Sequence, residues 1–323
     1  MALPRFALFA LLAVSLVHPL AALGQGFPSK PLRLIVPYAP GGAVDTFARP
    51  TAQKMSESLG QPVIVENRPG GNATIGADFV AKSAPDGYAF VLTSMVHYMV
   101  PFFSKNVPYD TVKDFTPIAI VCTVPNVLAV HPSVPVNSVK ELIEYGRKNP
   151  GKLYYGTTGI GSTHHLGGIL FAQMAGIDLE HVPYKGGSPS INGVLAGEIP
   201  IAILTATTIM PHVRSGKLRA LGVIEAHRSR GAPGVPTIGE TVSGYAVPDL
   251  WFGALGPAHM PGPVVARLNA EFRKAVESPD VRARLEGFGF DVTSNTPEQF
   301  VATIKADVDL VRRVVTTAGI KPE

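Results

Sequence analysis

Residues 156–168 read GTTGIGSTHHLGG, a run that gathers bare backbone and neutral hydroxyls within a few positions. Gly156, Gly159 and Gly161 leave the main chain open to a ligand. Thr157, Thr158, Ser162 and Thr163 carry hydroxyl groups. The run follows the apolar stretch KLYY and leads into LGGILFAQMAG, which has helical spacing. It is therefore a strand-to-helix turn, where free N–H groups favour negative charge. Three chemistries compete for it: a nucleotide, a covalent intermediate or a free carboxylate. A phosphate loop ends in Gly-Lys-Ser/Thr, whereas here Ser162 stands between Gly161 and Thr163 and no lysine follows. The dinucleotide fingerprint fails too, because the glycines are spaced G-x-x-G-x-G. Neutral donors suit a carboxylate better than a triphosphate, which recruits Lys, Arg or a metal. Ser162 with His164 or His165 lacks the G-x-S-x-G elbow of a nucleophile. Adjacent histidines on a helix diverge by about 100°, and no H-x-x-x-H or H-E-x-x-H occurs. No catalytic residue, metal site or cofactor is expected.

Two further loops have the same character. In PYAPGGAVD (37–45), Gly41 and Gly42 permit close backbone approach, and the N–H groups that follow open a helix. Asp45 suits an anion site poorly. It reads as the helix N-cap, or as a group that orders loop water or accepts a ligand donor. In LTSMVHYMVP (92–101), Ser94 and His97 lie just past a strand, His97 being either a structural histidine or a donor facing a cleft. Lys185 in VPYKGG is either a cleft cation or a solvated charge.

These loops need strands that end on a common side. LRLIVPY (32–38), PVIVEN and YAFVLTS read as strands, with helices over DTFARPTAQKMSESLG and IGADFVAKSA between them. That is β-α-β-α-β, the pattern of an open parallel sheet. Pro50 is expected to kink the first helix or delay its start. After VPNVLAVHPSVP a second doubly wound unit follows. Its helices are SVKELIEYGRKNPG, STHHLGGILFAQMAG, SPSINGVLAGE and TIMPHVRSG. Its strands are KLYYGTTG, DLEHVPYK, IPIAILTA and RALGVIEA. The tail offers the strand DLWFGALGP, a helix over PGPVVARLNAEFRKAVES and a last helix opening at TPEQF. Thr296 is the cap of that helix, and Val301, Ile304, Val308, Val311 and Val315 form its apolar face. The tail completes the first unit, so the chain crosses between units twice, near 123–130 and near 225–248. The fold class is α/β: two doubly wound, Rossmann-like lobes joined by a double hinge, with ligands bound beyond the strand ends.

At the N-terminus, MALPR, the apolar run FALFALLAVSLV and the small residues before Gln25 predict a signal peptide over 1–25. The run is shorter than the roughly 20 residues that span a bilayer. Export to the periplasm is expected. A net charge of +4 spread over 323 residues, with no Lys/Arg block, excludes a nucleic-acid partner. Cys122 is alone, so no intramolecular disulfide forms. In PIAIVCTVP it reads as a buried small hydrophobe.

From Phe27 to Glu323 the chain resembles the substrate-binding proteins of tripartite tricarboxylate transporters, the Bug-type periplasmic receptors. The markers stand in order: PSKPLRLIVPYAPGGAVDTFAR, LGQPVIVENRPGGNATIGADFVAKSAPDGY, VPYDTVKDFTPIAIV, VPNVLAVHPSVPVNSVKELI, GKLYYGTTGIGSTHHL, HVPYKGGSPSINGVLAGEI, GKLRALGV, WFGALGPAHMPGPVVARLN and AGIKPE. The resemblance implies a fold of periplasmic-binding-protein type II and a monomer. Lobe 1 would comprise 26–124 with 246–323, and lobe 2 would comprise 125–245. It implies capture of an organic carboxylate and delivery to a membrane permease; the alternatives are a receptor for a membrane kinase and a hydrolase. One carboxylate would be cradled by Pro40, Gly41, Gly42, Ala43, Val44 and Asp45 and by Thr157, Thr158, Gly159, Gly161 and Ser162. Tyr38, Ser94, His97, His164 and Thr205 complete the candidate set. Pro200 and Leu204 stand where relatives often carry Asp, Ile160 for a frequent Asn and His164 for a frequent Gln. The first two imply a less acidic distal pocket and a ligand without an amine, an aromatic or aliphatic mono- or dicarboxylate.

Overall fold

The inner apolar runs form strands buried on both faces, as layers of helices on a sheet require, while the edge strands at 63–67, 180–183 and 291–292 are only partly buried. The computed structural model describes residues 26–317 with Gly319 and Pro322; the leader expected over 1–25 lies outside the described residues. The first unit opens with β1 (Leu32–Val36), α1 (Ala43–Leu59), β2 (Val63–Asn67), α2 (Thr74–Ala81), β3 (Ala89–Ser94) and the single turn α3 (Val96–Met99). Next come β4 (Phe115–Val124) and β5 (Asn126–Val130), then α4 (Val139–Lys148), β6 (Tyr154–Thr157), α5 (Thr163–Ala175), β7 (Glu180–Pro183), α6 (Gly187–Leu195), β8 (Ile201–Thr205), α7 (Ala206–Arg214) and β9 (Arg219–Val223). The tail supplies β10 (Leu250–Pro257), α8 (Gly262–Glu277), α9 (Pro279–Gly287), β11 (Asp291–Val292) and α10 (Pro297–Thr317).

Two sheets result, ordered β11-β4-β10-β3-β1-β2 and β7-β6-β8-β5-β9. β1 runs parallel to β2 and β3, and β6 parallel to β7 and β8. Neither sheet is wholly parallel, which corrects the expectation from alternation alone. β10 is antiparallel to β3 and β4, and β5 is antiparallel to β8 and β9. The cause lies at the crossings. The chain leaves the first sheet at Val124 and returns at Leu250, and these two residues are register partners. It enters the second sheet at Asn126, the partner of Thr205 at the end of β8. A strand that begins where its neighbour ends must run the other way. Consequently the C-terminal ends of β1, β3, β6 and β8 lie on the sides where the chain passes between sheets.

Pro50 neither delays nor ends α1, which runs from Ala43 through it to a left-handed Gly60. Cys122 is fully buried in β4. The tail also contains α9 and β11, two elements not among those expected from the sequence; both are short and sit around a glycine-rich GFGF. The last helix begins as expected: Gln299 N–H donates to Thr296 Oγ1, and Thr296 N–H to Gln299 Oε1. Its buried face differs from the expected one. Phe300, Ile304, Asp307, Val311, Val314 and Val315 point inward, while Val301 is 52% exposed. Asp307 turns inward because its carboxylate accepts the indole N–H of Trp251 at 2.8 Å. The same core receives Leu166 from α5, so helices of the two sheets pack against each other.

Burial raises the Asp307 carboxyl to about 7 against the lowering by Trp251 and with a further rise from Asp249. A carboxyl raised on folding favours the folded state when protonated. Its contribution is complete below about pH 4 and lost as the pH rises towards 7. Asp307→Asn is therefore expected to flatten the fall in melting temperature across pH 4–7. Parallel wild-type and variant profiles would refute the assignment.

Candidate functional site

The loop after β1 ends on Gly41, whose φ of +78° is open to glycine, and Gly42, which is the N-cap of α1. Having no side chain, Gly42 makes no cap hydrogen bond, so the first turn of α1 has N–H groups without a side-chain acceptor. Pro40, Gly41 and Ala43 are exposed there, and Val44 is buried behind them. Asp45 is not the N-cap. It is the third residue of α1, 3% exposed, and its carboxylate is saturated by the protein itself. It accepts Gly41 N–H at 2.9 Å, Arg49 Nε and Nη2 at 2.9 and 2.8 Å, and Asn67 Nδ2 at 2.9 Å. Burial opposes its ionisation, but the Arg49 guanidinium, Gly41 and Asn67 together hold it below the usual carboxylate range. Asp45 thereby folds the loop back onto the helix start. Beside it, Tyr38 Oη lies 2.8 Å from Ser94 Oγ, joining the ends of β1 and β3.

The loop after β6 is built differently. Ser162 caps α5, its Oγ accepting His165 N–H at 3.1 Å and donating to Gly159 C=O. Thr157 is fully buried, its Oγ1 accepting Gly159 N–H at 3.1 Å and lying 2.7 Å from His181 Nε2. Gly161 N–H donates to His165 Nδ1. His165 and His181 stack 4.0 Å apart beneath the loop, and burial lowers both to about 4, so both are neutral braces. In the sequence His165 reads only as a candidate base or metal ligand, and His181 is missed; its place opposite the loop on the neighbouring strand is the signal that could find it. Thr158, Gly159 and the 58%-exposed Ile160 form the loop's outer face. Thr163 Oγ1 is buried without a hydrogen-bond partner among the described residues. On the next strand, Thr205 Oγ1 bonds to the hydroxyls of Thr207 and Thr208 at 2.8 and 3.0 Å.

Several residues expected at the site lie elsewhere. His97 is 1% exposed among Tyr98, Tyr109 and Phe115, with Nε2 on Thr111 C=O. It faces the core, held by that carbonyl and the three rings. Leu204 is fully buried in the second core, and Pro200 precedes β8, at the end opposite Thr205. Neither faces the helix-opening loops, which removes the argument against an amine. His164 is 3% exposed and bonds Thr158 Oγ1 at 3.0 Å and Asn126 Oδ1 at 2.8 Å. Lys185 is exposed. Asn126 and Glu225, at the two crossings, carry no sequence signal. A cavity of about 450 Å³ lies where Arg228, Arg230 and Arg282 face Phe290 and Asp291. None of the loop residues line it, and Arg228 and Arg282 are engaged by Glu240 and Glu286. The two helix-opening loops, not this cavity, have the chemistry of an anion site.

Two α/β lobes with a double crossing and paired helix-opening loops define a solute-binding protein. The model of the tripartite tricarboxylate transporter family receptor, TctC, matches residues 47–320, and the chain belongs to that family. It is 38% identical over 293 residues to a UPF0065 protein of the tcbD–tcbE intergenic region of Pseudomonas sp. strain P51, covering 90% of this chain and 87% of that one. It is 33% identical over 297 residues to BugT of Bordetella pertussis, covering 91% of each. Among solved structures, R. palustris Rpa4515 with adipate matches with a TM-score of 0.81 at 33% identity, over 92% of this chain and all of that one. MatC from Rhodopseudomonas palustris with bound malate matches with a TM-score of 0.75 at 29% identity, over 90% of this chain and all of that one.

Asp45→Ala removes the acceptor shared by Gly41, Arg49 and Asn67. Hydrogen bonds to charged groups are worth about 1.5–3 kcal/mol, so denaturant unfolding should show a loss of about 2 kcal/mol. A change below about 0.5 kcal/mol would mean that the loop holds itself.

Proposed function

We propose that this chain is a periplasmic receptor that captures a small organic carboxylate between its lobes and hands it to a membrane permease. The observation that carries this reading is the α1 N-terminus: it opens on Gly42 without a side-chain cap, beside an exposed loop held in place by Asp45. A ligand oxygen can take the place of the missing cap, and the helix dipole favours a negative one. The second loop supplies the opposing wall through Thr158, Gly159 and the capped start of α5. The cationic group beside the first loop, Arg49, is neutralised by Asp45, so the site offers neutral donors. That suits a singly charged carboxylate better than a phosphate.

The relatives with adipate and malate support the same ligand class, aliphatic mono- and dicarboxylates, with aromatic acids as the extension. Both loops come from one chain, so the site is complete in a monomer. Among the described residues no helix is long and apolar enough to cross a membrane. Export would rest on the leader at 1–25. The role is binding and release without turnover, in keeping with the family and with Ser162 being spent as a helix cap.

The test is a thermal-shift screen of the chain from Gly26 onward against about a hundred small carboxylates and amino acids. A ligand at a hundredfold excess over its Kd stabilises by about 2.7 kcal/mol. A related group of acids that raises the melting temperature, left unchanged on recovery, is the expected result. A screen in which no carboxylate acts, or in which the bound acid is consumed, would overturn the reading.

A further inference from the structure

A hydrogen-bonded chain runs from the hinge to the outer face of the second loop, and its direction can be read atom by atom. It starts at Glu225, 3% exposed, on the second crossing. Asn126 on the first crossing meets its carboxylate with two N–H groups: the backbone N–H at 3.1–3.2 Å and Nδ2 at 2.7 Å on Oε1. A backbone N–H can only donate; burial raises the Glu225 carboxyl to about 8, and Oε1 accepts from Nδ2 both when the group is ionised and when its proton sits on Oε2. Asn126 Oδ1 is therefore left as an acceptor, and it faces His164 Nε2 at 2.8 Å. His164 must donate from Nε2. Its imidazole is completely enclosed, and burial lowers it to about 4, so it carries one proton. Nδ1 is then bare and accepts at 3.0 Å from Thr158 Oγ1.

The last link fixes the hydroxyl. Thr158 has a single O–H, and it is given to His164. The hydroxyls of such a loop are expected to act as donors to a carboxylate, and at Thr158 the chain reverses that role. Thr158 is half-buried on the outer face beside the exposed Ile160, so its lone pairs are what remain for a ligand.

We infer that Thr158 is an acceptor subsite, and that the receptor selects carboxylates that also carry an O–H or N–H donor over those that do not. This rests on the carboxylate reading and adds the second group of the ligand. Asn126, His164 and Glu225 are positioning residues that act through Thr158.

Titration calorimetry on matched pairs tests it: malate and succinate, 2-hydroxyadipate and adipate, mandelate and phenylacetate, lactate and propionate. In the pair that binds, the hydroxy acid should be about tenfold tighter, the value of one well-made hydrogen bond. Thr158→Val, which keeps the shape and loses the acceptor, should bring the two members level. Equal affinities in the wild type would overturn the inference and leave the carboxylate reading standing. If no member of any pair binds, this inference falls, and the carboxylate reading falls only if the wider screen is also empty. A second measurement needs no ligand: histidine ¹⁵N spectra of the whole receptor should show His164 as the Nε2–H tautomer. The Nδ1–H tautomer would mean that the chain runs the other way, with Thr158 free to donate, and would also overturn the inference.

Discussion

The Asn126–Glu225 contact is the constraint on which the geometry of the site depends. Asn126 begins β5 immediately after Pro125, and Glu225 follows β9, so their side chains tie the outgoing crossing to the returning one. Burial raises the Glu225 carboxyl to about 8 against the lowering by Asn126, whose backbone and side chain both donate to it. The two crossings therefore cannot shift independently. The register follows from them. Asn126 pairs with Thr205, Val124 with Leu250 and Phe252 with Ser94, which places the ends of β8, β4 and β3 around the passage between the sheets. The loops after β1 and β6 belong to the same layer of strand ends.

Within that frame the two loops prepare helix starts in different ways. In the first, a charged pair is used up inside the structure: Asp45 and Arg49 neutralise each other while Asp45 holds Gly41 in place. The backbone is shaped, and no net charge is presented. In the second, a serine caps the helix and two neutral histidines fill the space beneath the glycines. Both loops thus present neutral dipoles. A receptor that must release its cargo gains from this, because a buried pairing with Arg or Lys would be stronger and harder to reverse.

The α/β class, the tie of the tail strand to the first sheet and the capped last helix were legible because each rests on local pattern: alternating blocks, apolar runs, Thr296 with Gln299. Strand direction was not. DLWFGALGP is as apolar as a parallel strand, and only the position of Leu250 beside Val124 reverses it. The glycine loops were legible from composition, but the jobs of individual residues within them were not. Asp45 looks like a cap until Arg49 and Asn67 are seen around it, and those partners lie 4 and 22 residues away. Asn126 and Glu225 stand 99 residues apart, with no motif at either position. Leu204 and Thr205 are neighbours in sequence on opposite faces of one strand. A register argument, and not residue type, sends the first into the core and leaves the second at the strand end.

The packing of α5 limits how the cleft can work. Its N-terminus forms the second loop, yet its side chain Leu166 is fully buried with Trp251, Phe300 and Val311 of the first lobe. His164, two residues earlier, is bound to the crossing strand. A motion that parted α5 from α10 would return Leu166 to water at a cost of about 1.5–3 kcal/mol. A hinge that keeps this contact avoids that cost. The economical hinge is one whose axis passes near α5 and the crossings.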